Sequence, residues 1–132
     1  MPRLKTNRQN EFENCWQGML EDYVTAIAWS PNGQYLAATS AAGEVSLLNA
    51  KSQLTLLQAS SEQAMDCVAF SHDGKFLAAA GQQGQVKIWQ FQPEAPVLVA
   101  TLETRSTWID RLAWSPTHPY LAFQLGFCMQ IW

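Results

Sequence analysis

The side chains of this 132-residue sequence that are best suited to acid–base, nucleophilic or metal chemistry are two histidines and three cysteines. His72 and His118 each lie in a short polar segment that predicts a turn, where a solvated histidine is ordinary. Asp73 follows His72 directly, but neighbouring turn side chains usually diverge, so the two do not form a catalytic dyad. The cysteines are far apart, with no spacing that suits a metal site: Cys15, Cys67 and Cys128.

No catalytic or nucleotide-binding motif accompanies these residues. The sequence contains no phosphate-binding loop, no dinucleotide fingerprint, no nucleophile elbow and no zinc-protease motif. We therefore predict no catalytic residue, no metal and no cofactor. The odd number of dispersed cysteines is typical of a reducing compartment, and the first 16 residues lack the apolar stretch of a signal peptide. The sequence thus predicts a cytoplasmic protein.

The composition argues against two further classes of function. Only 14% of the residues are charged, against about 25% in average domains, and the net charge of −3 disfavours a generally basic nucleic-acid binder. A basic N-terminal arm keeps an RNA- or nucleic-acid-associated role open as an alternative: Arg3, Lys5 and Arg8. Two uncharged stretches, Tyr23–Gly43 and Leu112–Trp132, are interrupted by turn residues and predict no membrane span.

An internal repeat organises most of the chain. The segments Val24–Asn49 and Met65–Gln90 are identical at eight of 26 positions without a gap, and Trp29 aligns with Phe70. A third, shorter copy places Trp114 at the same repeat position. Aromatic residues that recur at one repeat position indicate structural slots between neighbouring units rather than a ligand cage.

Each copy predicts short strands rather than helices. The predicted strands are Val24–Ser30, Tyr35–Ser40, Val45–Asn49 and Leu54–Ala59 in the first copy, Met65–Ser71, Phe76–Ala80, Val86–Phe91 and Val97–Leu102 in the second, and Ile109–Ser115, Tyr120–Gln124 and Cys128–Trp132 in the third. Their low charge indicates sheets that are covered on both faces. The sequence therefore predicts an all-β fold built from four-stranded meanders.

The repeat resembles the blade of a WD40 β-propeller, with its V-x-x-V-x-F-S-P-D-G stretch and closing aliphatic–Trp pattern. The matching residues are Val24, Ile27, Trp29, Ser30, Pro31, Asn32 and Gly33, then Val68, Phe70, Ser71, Asp73 and Gly74, then Val86, Ile88 and Trp89. The family's Gly-His pair is absent, and so is its final Trp-Asp pair, which reads Leu48-Asn49 and Trp89-Gln90 here. We expect blades that are held by packing more than by the family's polar network.

The resemblance implies about three blades of an incomplete ring. The blades would span residues 23–59, 64–102 and 108–132, within a partial propeller of residues 23–132. An N-terminal arm of residues 1–22 would precede them, with a possible outer strand over Phe12–Met19. Closed propellers need about four to eight blades, so we expect the N-terminal part of a larger propeller that associates with itself when made alone. A dimer that closes six blades by exchanging the N-terminal segment is the alternative.

In WD40 propellers the favoured partner surface is the edge where the innermost strands begin. The resemblance carries five residues onto that edge: Tyr23, Thr25, Asp66, Trp108 and Asp110. An exposed tryptophan beside carboxylates would suit an interface anchor for a basic or hydrogen-bond-donating protein. Local rim packing is the competing interpretation, as is neutralisation of the carboxylates by Arg105 or Arg111. The resemblance implies a non-catalytic scaffold for protein–protein interaction, with the propeller portion of a larger enzyme as an alternative.

Overall fold

The computed structural model describes residues 3–4, 12–104 and 108–132. Its first two strands, β1 (Arg3–Leu4) and β2 (Phe12–Glu13), form a small antiparallel pair. The segment expected to supply an outer strand therefore contributes only these two residues of β2, and they pair with β1 rather than with a larger sheet. The remaining strands form three separate antiparallel sheets.

The first sheet is a meander whose spatial order follows the sequence. It contains β3 (Val24–Trp29), β4 (Tyr35–Ser40), β5 (Val45–Asn49) and β6 (Leu54–Gln58). Gly33 closes the turn after β3 with φ of 72°, a left-handed conformation that glycine adopts without steric cost. All four predicted strands are confirmed to within one residue at each end.

The second sheet repeats this arrangement. It contains β7 (Met65–Phe70), β8 (Phe76–Gly81), β9 (Gln85–Phe91) and β10 (Pro96–Glu103), again in sequence order. These strands also lie within one residue of the prediction. The repeat in the sequence is thus a repeat in the structure.

The third sheet has three strands, β11 (Leu112–Trp114), β12 (Leu121–Leu125) and β13 (Cys128–Ile131). Its first strand is shorter than predicted and begins three residues later. The cause is local, because the backbone N–H of Asp110 donates to the side-chain Oε1 of Gln124 at 3.1 Å. The Asp110 N–H therefore bonds to a side-chain oxygen rather than to a backbone carbonyl of the neighbouring strand.

The three sheets stand side by side, with β7 packed between β3 and β11. The cluster between the first and second sheets consists of Ala37, Val45, Leu47, Met65, Val68, Leu77, Ala79 and Trp89. The cluster between the second and third sheets consists of Cys67, Ala78, Ala80, Val86, Ile109, Leu121 and Phe123. The middle sheet is therefore buried on both faces, whereas each outer sheet keeps one outer face, and the ring is not closed.

The outer face of the first sheet is crossed by residues 14–21, which we name the N-terminal strap. The Trp16 ring meets Trp29 edge-to-face, with ring centroids 5.3 Å apart. Gly18 lies so close to the sheet that a Cβ atom would stand 3.1 Å from Leu48 Cδ1. The first sheet packs on one face of the second sheet. The strap covers the equivalent face of the first sheet.

Candidate functional site

The five predicted site residues lie at one end of the three sheets, where the chain enters the first strand of each. We name this surface the leading edge: Tyr23, Thr25, Asp66, Trp108 and Asp110. The Tyr23 side chain is largely exposed. The other four residues form hydrogen bonds within the sheets or between them. The leading edge thus gathers residues from the start of each repeat at one end of the sheets.

Two of these residues occupy equivalent irregularities in the strands. The pairing of β3 with β4 shifts register at Thr25, and the pairing of β7 with β8 shifts register at Asp66. A bulge leaves one residue out of the ladder and redirects its side chain. The repeat therefore places one redirected side chain at the start of each of the first two sheets.

Thr25 uses its redirected hydroxyl to join the first sheet to the second. Its Oγ1 donates to the backbone carbonyl of Met65, and it lies 2.9 Å from the hydroxyl oxygen of Thr39. Since Thr25 has a single hydroxyl proton, Thr39 is the donor in that second bond. The Thr25 hydroxyl is therefore occupied in holding two sheets together.

Asp66 uses its redirected carboxylate to join the second sheet to the segment that leads into the third. The indole Nε1–H of Trp108 donates to Asp66 Oδ2 at 2.9 Å, across 42 residues of sequence. The Trp108 side chain nevertheless remains 54% exposed. A tryptophan held at its N–H and exposed over its ring presents a fixed apolar surface to solvent.

Asp110 lies near these residues, and among the described residues its charged partner is Arg111, at a long distance. Arg111 Nη1 is 3.9 Å from Asp110 Oδ2, and it also donates to the Asp110 backbone carbonyl at 3.0 Å. An exposed pair at this distance contributes about 0–1 kcal/mol and leaves the carboxylate accessible. The other arginine named as a competitor, Arg105, lies outside the described residues, as do Lys5 and Arg8 of the basic arm.

The histidines and cysteines do not assemble into a reactive site in the parts of the chain that the structure describes. No group of three His, Cys, Asp or Glu side chains there is placed to hold a metal ion. Burial raises the pKa of the Cys67 thiol to about 12, so it stays protonated and unreactive at neutral pH. His118 stacks on Tyr120 in an exposed turn, with centroids 5.6 Å apart.

The recurring aromatic position packs between neighbouring sheets in two of its three copies. Phe70 and Trp114 pack against the preceding sheet, and the Trp114 indole donates to the Ala69 carbonyl at 2.9 Å. Trp29 is exposed on the outer face of the first sheet, where its ring meets Trp16 of the N-terminal strap. The difference arises because no sheet of the described chain precedes the first.

The sequence analysis missed Thr39 and Gln124, which hold Thr25 and Asp110 in place. Thr39 was detectable as a polar residue where the second copy has alanine, at Ala80. Gln124 carries no comparable signal, because a glutamine in a strand is ordinary until its partner is known.

No described helix is long and apolar enough to span a bilayer.

The three meanders with adjacent inner strands define a partial β-propeller, and comparison with known proteins places it in a family. The family described as the anaphase-promoting complex subunit 4 WD40 domain matches residues 3–71, slightly more than half of the chain. The chain therefore belongs to the WD40 family. A search of curated proteins found no match.

Two solved structures of Sqt1 from Chaetomium thermophilum share this fold. One, bound to the N-terminus of the ribosomal protein L10, is 29% identical with a TM-score of 0.66, over 76% of this chain and 30% of Sqt1. The other is 30% identical with a TM-score of 0.70, over 80% of this chain and 31% of Sqt1. This chain thus spans less than a third of the length of either Sqt1 chain.

Proposed function

We propose that this chain is a non-catalytic scaffold that binds a partner protein at the leading edge. The observation that carries the proposal is the bond between Trp108 and Asp66, which fixes a largely exposed tryptophan across the boundary of two sheets. Fixed, exposed aromatic residues lose little conformational freedom on binding and are common interface anchors. A relative of similar fold, Sqt1, binds the N-terminus of a ribosomal protein, which supports a protein as the class of partner.

The charge of the leading edge favours a basic or hydrogen-bond-donating surface on that partner. Asp66 keeps a second carboxylate oxygen beyond the one that accepts from Trp108, and the Asp110 carboxylate is half exposed. Carboxylates beside an apolar anchor steer a positively charged partner and fix its orientation. The residues we assign to binding are Tyr23, Asp66, Trp108 and Asp110, with Thr25 positioning the edge from behind.

We further propose that this scaffold is part of a longer propeller. We propose that further blades of a longer propeller cover the outer face of the third sheet and the part of the first sheet's outer face that the strap leaves exposed, and that these faces drive self-association when the 132 residues are produced alone. The exposed apolar residues of the third sheet, Met129 and Ile131, support this arrangement. The free cysteines are compatible with a cytoplasmic setting.

The test is affinity purification of the full-length native gene product followed by mass spectrometry. Asp66→Asn, Asp110→Asn and Trp108→Ala should each reduce recovery of the same specific partner. Glu94→Gln serves as the matched control, because it removes one exposed carboxylate from a turn remote from the leading edge. If the partner is retained equally by all four variants, the leading edge is not the binding site.

A further inference from the structure

A second surface lies at the opposite end of the first strands, between the turns that follow β3 and β7. It is a groove of about 420 Å³, and three half-buried aromatic rings form its floor: Tyr35, Phe70 and Phe91. The Phe91 ring centroid lies 5.9 Å from that of Tyr35 and 5.5 Å from that of Phe70. The groove thus presents a cluster of aromatic rings at the junction of two sheets.

Two equivalent turns form the rim of the groove, and each is held by its own side chain. Asn32 Oδ1 accepts from a hydroxyl at 2.7 Å and from a backbone amide at 3.0 Å within the first turn. Asp73 Oδ1 accepts from the Ser71 hydroxyl at 2.8 Å and from the Lys75 amide at 3.0 Å. These bonds, the Lys75 amide first, lower the pKa of Asp73 and keep it ionised.

A second, apolar cavity lies between the second and third sheets. Its lining includes Phe76, Trp114 and Trp132, and none of the described residues that line it is ionisable. Thr117 stands at the repeat position of Asp73. The second turn of the first groove therefore carries a carboxylate where the third copy has a threonine.

We propose that this groove binds an arginine side chain of a partner protein. A guanidinium stacks on aromatic rings and donates to a carboxylate with planar geometry, so it can use both features of the groove at once. Phe70 and Phe91 would supply the ring contacts, and Asp73 the acceptor. Within the described residues Lys75 forms no ion pair with Asp73, which leaves that carboxylate to an external cation.

The probe is N-acetyl-arginine methylamide, measured by ligand-observed saturation-transfer NMR on the full chain. This readout tolerates self-association of the protein, because it follows the protons of the small ligand. The matched probe is the citrulline analogue, which has nearly the same shape but no charge. We expect saturable transfer to the arginine side-chain protons, with citrulline binding about fivefold more weakly.

Two reciprocal variants separate the charge from the shape of the groove. Asp73→Asn keeps both hydrogen bonds of its turn, as Asn32 demonstrates in the first turn, and should weaken arginine binding about fivefold. Asn32→Asp adds a carboxylate to the opposite rim and should strengthen it. Phe91→Leu should weaken it through loss of ring contact, whereas Glu62→Gln, an exposed carboxylate in the loop before β7, should change nothing.

Each remaining outcome overturns the proposal. Equal binding of arginine and citrulline would mean that charge is not recognised. Unchanged binding in Asp73→Asn would place the arginine elsewhere, and the absence of saturable transfer would mean that the groove does not bind it. Because the leading edge lies at the other end of the strands, these results are independent of the proposed scaffold function.

Discussion

The first and second sheets have closely similar sequences but very different surroundings. Ile27 and Val68 hold the same repeat position, yet Ile27 is 63% exposed and Val68 only 8%. Leu36 and Leu77 are likewise equivalent, and Leu36 is half-buried whereas Leu77 is fully buried. The second sheet has the first packed on this face, and the first sheet has only the N-terminal strap. Burial in this fold therefore comes from the neighbouring blade rather than from the blade itself.

The N-terminal strap shows how much of a neighbour a short segment can replace. It covers Leu48, which is buried like its counterpart Trp89 in the second sheet. It leaves the side chains of Ile27 and Trp29 exposed. It is also anchored by polar contact, since the Glu21 amide donates to the buried carboxylate of Glu44 at 2.7 Å. The strap thus protects one end of the face.

The largest expected difference between the two sheets is in the cost of truncating the equivalent leucines. Leu77→Ala should lower the free energy of unfolding by about 3 kcal/mol, because it opens a cavity between two packed sheets. Leu36→Ala should cost about 1.5 kcal/mol, because its side is only partly covered. Urea unfolding of both variants measures the difference. Equal costs would show that the first sheet is as well packed as the second.

A smaller effect is expected on self-association. Ile27→Ser removes an exposed apolar side chain from the open face, and it should weaken association about tenfold, as sedimentation velocity would measure. The control is Val97→Ser on the outermost strand of the middle sheet, where the side chain is 43% exposed but lies on neither open face. If the control weakens association equally, general hydrophobicity rather than the open face is responsible.

The sequence was sufficient for the strands of the first two sheets and for the repeat, because turn residues and period are local signals. Gly33 and Gly74 mark the same turn in both copies, and the structure has that turn in both. The bond from Trp108 to Asp66 carries no local signal, since it joins residues that are 42 positions apart in the sequence. The resemblance located the leading edge, but only the fold assigned Thr25 to a contact between sheets.

The smallest expected effect concerns the strap itself. Trp16→Ala removes the edge-to-face contact with Trp29, an interaction that contributes about 1 kcal/mol. Since the strap also holds the Glu21 amide against Glu44, its release should speed hydrogen exchange at that amide while exchange at Val68 stays unchanged. Trp16→Phe keeps a ring at this position and should preserve most of the protection. Unaltered exchange at Glu21 in Trp16→Ala would show that the polar anchor alone holds the strap on the open face.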